Sequence, residues 1–256
     1  DRLTSEALKL VEASRDRPFL LNLCYHTVHT PIEAKAEIVE RYRRKLSPGL
    51  RHRNPTYAAM VHSLDENVGR ILDKLDQLGL ASRTLVIFTS DNGSLRGAHG
   101  LTGKWLAYEE SMRVPLIVRD PRLPAGLRGV RREEMALNID LAPTMLRLAG
   151  VPVPPEMQGR DLSPLLSGTA VKWREDWFYE HTYTPEDDRP PIARSEAVRT
   201  PRWKYIRYID TTPRFEQLFD LLNDPLERQN LADRPEHKQI LADLRARWQQ
   251  IRRESD

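Results

Sequence analysis

The sequence predicts an α/β fold, a sheet flanked by helices, followed by a small antiparallel α+β subdomain at the C-terminal end. Three observations predict it. The runs "FLLNLCY" (19–25), "LVIF" (85–88) and "VPLIV" (114–118) are apolar along their length, as in strands covered on both faces. Helical segments, with apolar residues three and four apart, separate the strands and give a strand–helix–strand order. From about residue 171 the pattern changes to short aromatic or β-branched runs broken by turns, which reads as antiparallel strands.

In chain order, Leu3, Ala7, Leu10 and Val11 mark an opening helix. No initiating Met and no charged-then-apolar leader precede it, so the chain is expected to continue upstream. The first strand places Cys24 in the core and ends in "HTVHTPIEA", where Pro31 stops any continuation. Residues 35–46 form a charged amphipathic segment closed by Ser47-Pro48-Gly49. The clearest helix follows. Asn54 caps it, Pro55 suits its first turn, and Val61, Leu64, Val68, Ile71, Leu75 and Leu78 recur along it until Gly79.

The strand 85–88 then runs into a loop containing Gly93, Gly97, Gly100 and Gly103, and the strand 114–118 follows. A capped helix is expected over 138–150, ending on Gly150. The Pro-rich stretch after it suggests a boundary, giving residues 1–170 as part of a larger α/β domain and 171–256 as the subdomain. In the latter, "DWFYEHTY", "EAVRT", "WKYIRYI" and "EQLFDL" read as strands, with a polar amphipathic helix from about Glu236 to Arg253.

Composition excludes several classes. A chain of 256 residues can bury a sizeable core. Its 40 Lys and Arg against 37 Asp and Glu leave a net charge of +3, and no basic run is interleaved with aromatics, so nucleic acid is not an expected partner. No apolar run approaches the roughly 18 residues that a membrane span needs. One cysteine excludes an internal disulfide framework and a multi-thiolate metal site.

The candidate chemistry lies where strands end. Asp91 and Asn92 follow the strand 85–88, at the edge where open α/β sheets gather ligands. Their oxygens suit a hard cation such as Ca²⁺ or Mg²⁺, although Ca²⁺ takes six to eight such ligands. The same residues also favour an Asx turn for local reasons. Lys104, after the glycine loop, can clamp an oxyanion as a point charge or can be a solvated surface lysine. His29 sits in a polar loop after the first strand, in the topological position that Asp91 holds after its own. His26 and His99 are loop histidines open to either a surface or a site role.

Together these segments resemble a known family. "LNLCYHTVHTPIEA", "YAAMVHSLDENVGRILDKLDQLGL", "TLVIFTSDNG", "GKWLAYEESMRVPLIV", "NIDLAPTMLRLAG" and "WKYIRY…QLFDLLNDPLERQNLA" resemble, in order, the sulfatases of the alkaline-phosphatase-like superfamily, arylsulfatase-like and glycan-sulfatase members among them. The resemblance implies an alkaline-phosphatase-like sheet flanked by helices. It implies that Asp91 and Asn92 are ligands of a Ca²⁺ (Mg²⁺ in some members), that Lys104 binds sulfate oxygens, and that His29 contacts the sulfate and its leaving oxygen. His99 and Arg96 fall in a loop that many members use for substrate contacts.

The resemblance also implies a nucleophile that these residues lack. Such sulfatases carry a Cys-x-Pro-x-Arg or Ser-x-Pro-x-Arg motif, converted to formylglycine, and a pair of Asp cation ligands in their N-terminal part. Neither is present, and Cys24 in "LCYHT" does not match. The expected function is therefore that of a sulfuric ester hydrolase whose nucleophile lies upstream of Asp1, with a sulfated small molecule or glycan as substrate. The family resemblance suggests an extracytoplasmic location: periplasmic, secreted or lysosomal. Two rivals stand beside it: a phosphonate or phosphate monoester hydrolase of the same superfamily, and a non-catalytic pseudoenzyme or sugar-binding fragment. Asn92, where a second His would otherwise follow Asp91, favours the sulfatase.

Overall fold

The computed structural model describes residues 1–50, 52–182 and 192–255. They fall into two compact units. The first comprises Asp1–Val86 with Arg119–Arg122, and the second Ile87–Val118 with Leu123–Asp256.

Three helices build the first unit: α1 (Arg2–Ala13), α2 (Ala36–Arg43) and α3 (Pro55–Gln77). The Asn54 side chain caps α3 as expected, accepting from the Tyr57 amide at 2.9 Å. In α1 the buried face is Thr4, Ala7 and Val11, while Leu3 and Leu10 are exposed. Val11 packs with Leu75 and Leu80 against Leu21, Ile71, Leu78 and Val86. Each such side chain taken fully out of water contributes about 1.5–3 kcal/mol.

The run 19–25 departs from its expectation. It is assigned no strand, although Leu21, Leu23 and Tyr25 are half-buried while Asn22 and Cys24 are exposed, the alternation of an extended segment. Its inward side reaches α1 through Tyr25, whose hydroxyl lies 2.8 Å from Thr4 Oγ1. Cys24 is exposed and not a core residue. Period two turns it outward, and no described strand pairs there to cover it.

In the second unit β1 (Val86–Thr89) and β2 (Leu116–Arg119) form a two-stranded sheet, whose Val86 and Arg119 belong to the first unit. Between them lies a short helix, α4 (Glu109–Met112). The helix expected over 138–150 begins with a 3-10 turn, Asn138–Asp140, and continues as α5 (Leu141–Leu148), with Gly150 at φ 73° beyond its end. A one-turn helix, α6 (Ser163–Leu166), precedes the antiparallel sheet β3 (Trp177–His181), β4 (Ser195–Arg199), β5 (Trp203–Tyr208) and β6 (Glu216–Asp220). Tyr183, at the end of the run read as the first of these strands, lies outside the described residues. The chain closes on α7 (Lys238–Ser255).

The four-stranded sheet is buried on both faces. Register pairs Val198 with Tyr205 and Tyr205 with Leu218, and these three point to α7, where they meet Leu241, Leu244 and Trp248. Trp248 Nε1 donates to buried Glu196 at 2.7 Å. Their neighbours Ala197, Ile206 and Phe219 point the other way and pack on Leu95, Ala107 and Tyr108. The glycine-rich segment after β1 is thus the third layer of a sandwich: loop, sheet, helix. Sheets flanked by helices are the α/β class that the sequence predicts.

Candidate active site

The end of β1 sets the geometry. Ser90 Oγ donates to the Asn92 carbonyl at 2.9 Å and lies 3.3 Å from Asp91 Oδ1. Asn92 Nδ2 donates to the Gly93 carbonyl at 2.7 Å, which leaves its Oδ1 to accept from elsewhere. Gly93 then passes close to α4. Its amide donates to the Ser111 carbonyl at 2.8 Å, and a Cβ there would sit 2.0 Å from the Glu110 carbonyl oxygen. Only glycine allows that approach.

Lys104 returns to this corner. Its Nζ donates to Asn92 Oδ1 at 3.0 Å. The residues on either side of it are held. The Gly103 carbonyl accepts from the Leu95 amide at 2.8 Å, and the Trp105 carbonyl accepts from Tyr179 Oη of β3 at 2.6 Å. Arg96, His99 and Trp105 adopt left-handed backbone, with φ of 42°, 55° and 77°. Each such residue costs on the order of 1–3 kcal/mol, which the surrounding packing must offset.

His99 is brought to the same loop but faces inward. Its ring stacks on Tyr108 with centroids 4.0 Å apart, and Nε2 lies 3.4 Å from Glu110 Oε2. Arg96 is exposed. His29 lies in the first unit, exposed, with Nδ1 3.0 Å from the Thr30 carbonyl; His26 Nε2 is 3.0 Å from the same oxygen.

Beneath the Lys104 loop is a charged cluster that strand patterns do not reveal. Lys204 of β5 has no exposed surface, and its Nζ lies 2.8 Å from Glu109 Oε1 and 2.7 Å from Glu227 Oε1. Glu227 Oε2 accepts the Glu109 amide at 2.6 Å, and Arg199 stands 3.6 Å from Glu109. Burial pushes the Glu109 carboxyl upward, but Lys204 and Arg199 together hold it below its ordinary value. In Glu227 burial outweighs the pull of Lys204, and its pKa is raised. Another buried carboxylate, Asp140, takes a bidentate grip from Arg174 at 2.5 and 2.7 Å and accepts the amides of Leu137 and Arg160 at 2.7 Å. The sequence signals for these groups are "YEE", "WKYIRY", "DPLE" and "NID", each within a segment that carries the family resemblance.

Two sets of residues bear on a metal. Asp91 and Asn92 present hard oxygens, and Asn92 Oδ1 already faces a positive charge, so their chemistry fits part of a Ca²⁺ or Mg²⁺ shell. Among the described residues, His99, Glu110 and Glu227 form a group with ligand atoms within 4.8 Å of one another. There Glu227 is already engaged by Lys204 and the Glu109 amide.

Comparison with known proteins gives the family. Residues 1–151 match the family model described as Sulfatase. The chain belongs to the sulfatase family. Residues 97–254 of this sulfatase-family chain also match the model described as N-sulphoglucosamine sulphohydrolase, C-terminal. It is 35% identical over 184 residues to an N-acetylglucosamine-6-O-sulfatase of Bacteroides thetaiotaomicron, covering 71% of this chain and 32% of that one. Among solved structures it resembles a protein captured with its substrate D-glucosamine-2-N,6-O-disulfate, at 28% identity and TM-score 0.68, over 85% of this chain and 45% of the other. A phosphonate monoester hydrolase of Agrobacterium radiobacter matches at 28% identity and TM-score 0.68, over 78% of this chain and 41% of its own. The sulfatase-family chain spans about a third of the length of the curated relatives it matches.

Proposed function

We propose that this chain is the anion-clamp and acid side of a formylglycine-dependent sulfatase that cleaves sulfate esters, most often on carbohydrates. The observation that carries the reading is Lys104 Nζ 3.0 Å from Asn92 Oδ1 at the end of β1, an ammonium beside a hard oxygen donor. That pairing suits a monoester whose charged oxygens must be held by cations. A relative that acts as an N-acetylglucosamine-6-O-sulfatase and a structural neighbour holding a disulfated glucosamine support a sulfated sugar as substrate. An extracytoplasmic location belongs to the same reading and rests on family resemblance.

In this proposal Asp91 and Asn92 would hold the family's Ca²⁺ or Mg²⁺. When bound, the cation offsets charge on the sulfate oxygens. Lys104 holds non-bridging oxygens as a point charge, and the loop's contacts at Gly103 and Trp105 fix where it stands. With His29 Nδ1 on the Thr30 carbonyl, Nε2 is the ring nitrogen left for the departing alcohol, and a ring protonated on both nitrogens would give it the Nε2 proton. Arg96 and His99 belong to the proposed substrate side, where the inward stacking of His99 shapes the loop. The attacking hydroxyl would come from a formylglycine upstream of Asp1. Residues 1–170 are then part of the catalytic domain and 171–256 the subdomain, which holds β3–β6 and α7.

A second reading, phosphonate or phosphate monoester hydrolysis, is favoured by the likeness to the Agrobacterium enzyme. The test uses the full-length protein with its Cys/Ser-x-Pro-x-Arg motif, assayed on N-acetylglucosamine-6-sulfate and on a phenyl phosphonate monoester. The sulfatase reading predicts faster turnover of the sulfate ester and none by residues 1–256 alone. Turnover of the phosphonate with an inert sulfate ester would replace it by the second reading. Absence of the motif upstream would leave the non-catalytic one.

A further inference from the structure

The segments "WKYIRY" and "DPLERQNLA" carry part of the family resemblance but supply no group to the proposed chemistry. Structurally they converge on one point. Lys204 comes from the first, Glu227 from the second and Glu109 from the end of the Lys104 loop, and one buried ammonium lies 2.7–2.8 Å from both carboxylates. Glu227 also takes the Glu109 amide, so the loop is gripped by backbone and side chain at the same residue.

Such a cluster is poorly explained by stability alone. Buried ion pairs repay their desolvation only in good geometry, and well-packed apolar residues often replace them without loss. What they add is direction. The apolar contacts of Leu95, Ala107 and Tyr108 with the sheet can slide, whereas an ammonium between two carboxylates fixes a register. Lys204 shares its face of β5 with Ile206 and Tyr208, the face that meets the loop.

We propose that Lys204 is a positioning residue which, through Glu109 and Glu227, fixes the loop that sets Lys104 against Asn92. The proposal rests on the reading of Lys104 as the anion clamp, yet its test does not depend on turnover.

The experiment compares the chain with Lys204→Met and with the charge-balanced Lys204→Met/Glu227→Gln, in which the cation and one anion leave together. Amide hydrogen exchange is followed across 94–112 and across β4–β6, and acylation of the Lys104 amine by acetic anhydride is followed by mass spectrometry. Both variants should exchange about 10²-fold faster across 94–112, the scale of losing one partner of a buried pair. Lys104 should acylate faster, and exchange across β4–β6 should hold. If Lys204→Met does not fold, the double variant carries the test.

Unchanged exchange across 94–112, or an equal rise across β4–β6, would overturn the proposal. So would return of the double variant to the exchange of the unmodified chain, because the effect would then be one of unbalanced charge. Zn²⁺ binding by the unmodified chain that is lost in His99→Ala would assign the cluster to a metal instead. A sulfatase reading that failed, with Lys104→Ala harmless to turnover in the full-length protein, would leave these exchange results in place.

Discussion

The two loops that follow apolar runs, 26–31 after residues 19–25 and 90–108 after β1, both hold residues of the proposed site and are built very differently. His26 and His29 are exposed; their side chains hydrogen-bond to Thr30, and the His29 amide donates to the His26 carbonyl at 2.8 Å, all within the same loop. The second loop has a core of its own: Leu95, Ala107 and Tyr108 are buried against the antiparallel sheet, and Glu109 is tied to Lys204 and Glu227. One half of the proposed machinery is therefore packed and ion-paired against the sheet, and the histidine side chains of the other bond within their own loop. If the proposed roles hold, β3–β6 give no group to the chemistry and act on it through where Lys104 stands.

The largest expected effect breaks the sheet side of that contrast. Phe219, 1% exposed, faces the loop with Ile206. Phe219→Ala should destabilise the second unit by about 3–5 kcal/mol, read by denaturant unfolding. A loss no greater than that of a surface substitution would mean that the loop does not depend on the sheet.

A smaller effect is titratable. Burial lowers the pKa of His181 in β3 below its ordinary value of 6.5, so the folded unit keeps the ring neutral. Folded protein then binds the proton less readily than unfolded chain. Stability is fully present above about pH 6.5 and is lost as pH falls from there through the folded pKa. Thermal melts from pH 7.5 to 5 should show this loss and show less of it in His181→Gln. An identical pH dependence in the two proteins would remove His181 as its source.

The smallest effect belongs to the other loop. His29→Ala removes only local contacts, so stability should change by less than about 0.5 kcal/mol. A larger loss would show that loop 26–31 is structurally anchored and would narrow the contrast.

Much of this was legible from residue order. Asn54-Pro55 announced α3, and the change of texture after residue 170 announced β3–β6, because caps and alternation are local signals. Cys24 was misplaced because an apolar run reads as buried whether or not a partner strand covers its outer side. Asp91 and Asn92 were visible as residues at a strand end and Lys104 as one that follows a glycine loop, and the 3.0 Å contact between Asn92 and Lys104 falls within one loop. Lys204 was not visible. A lysine within "WKYIRY" reads as an outward residue, and its partner Glu109 lies 95 positions earlier (204 − 109), a pairing that no local pattern encodes.

The central claim is that the well-built loop delivers an anion clamp and the exposed loop a proton. Matched kinetics of Lys104→Ala and His29→Ala, in the full-length protein with its nucleophile, test it most directly. Lys104→Ala should lower kcat/KM by roughly 10²–10³ on a sugar sulfate and on 4-nitrocatechol sulfate alike, since both present the same non-bridging oxygens. His29→Ala should harm the sugar sulfate far more, because a nitroaryl leaving group needs little protonation. Equal losses on both substrates for His29→Ala would contradict its acid role, and near-unchanged rates for Lys104→Ala would contradict the account as a whole.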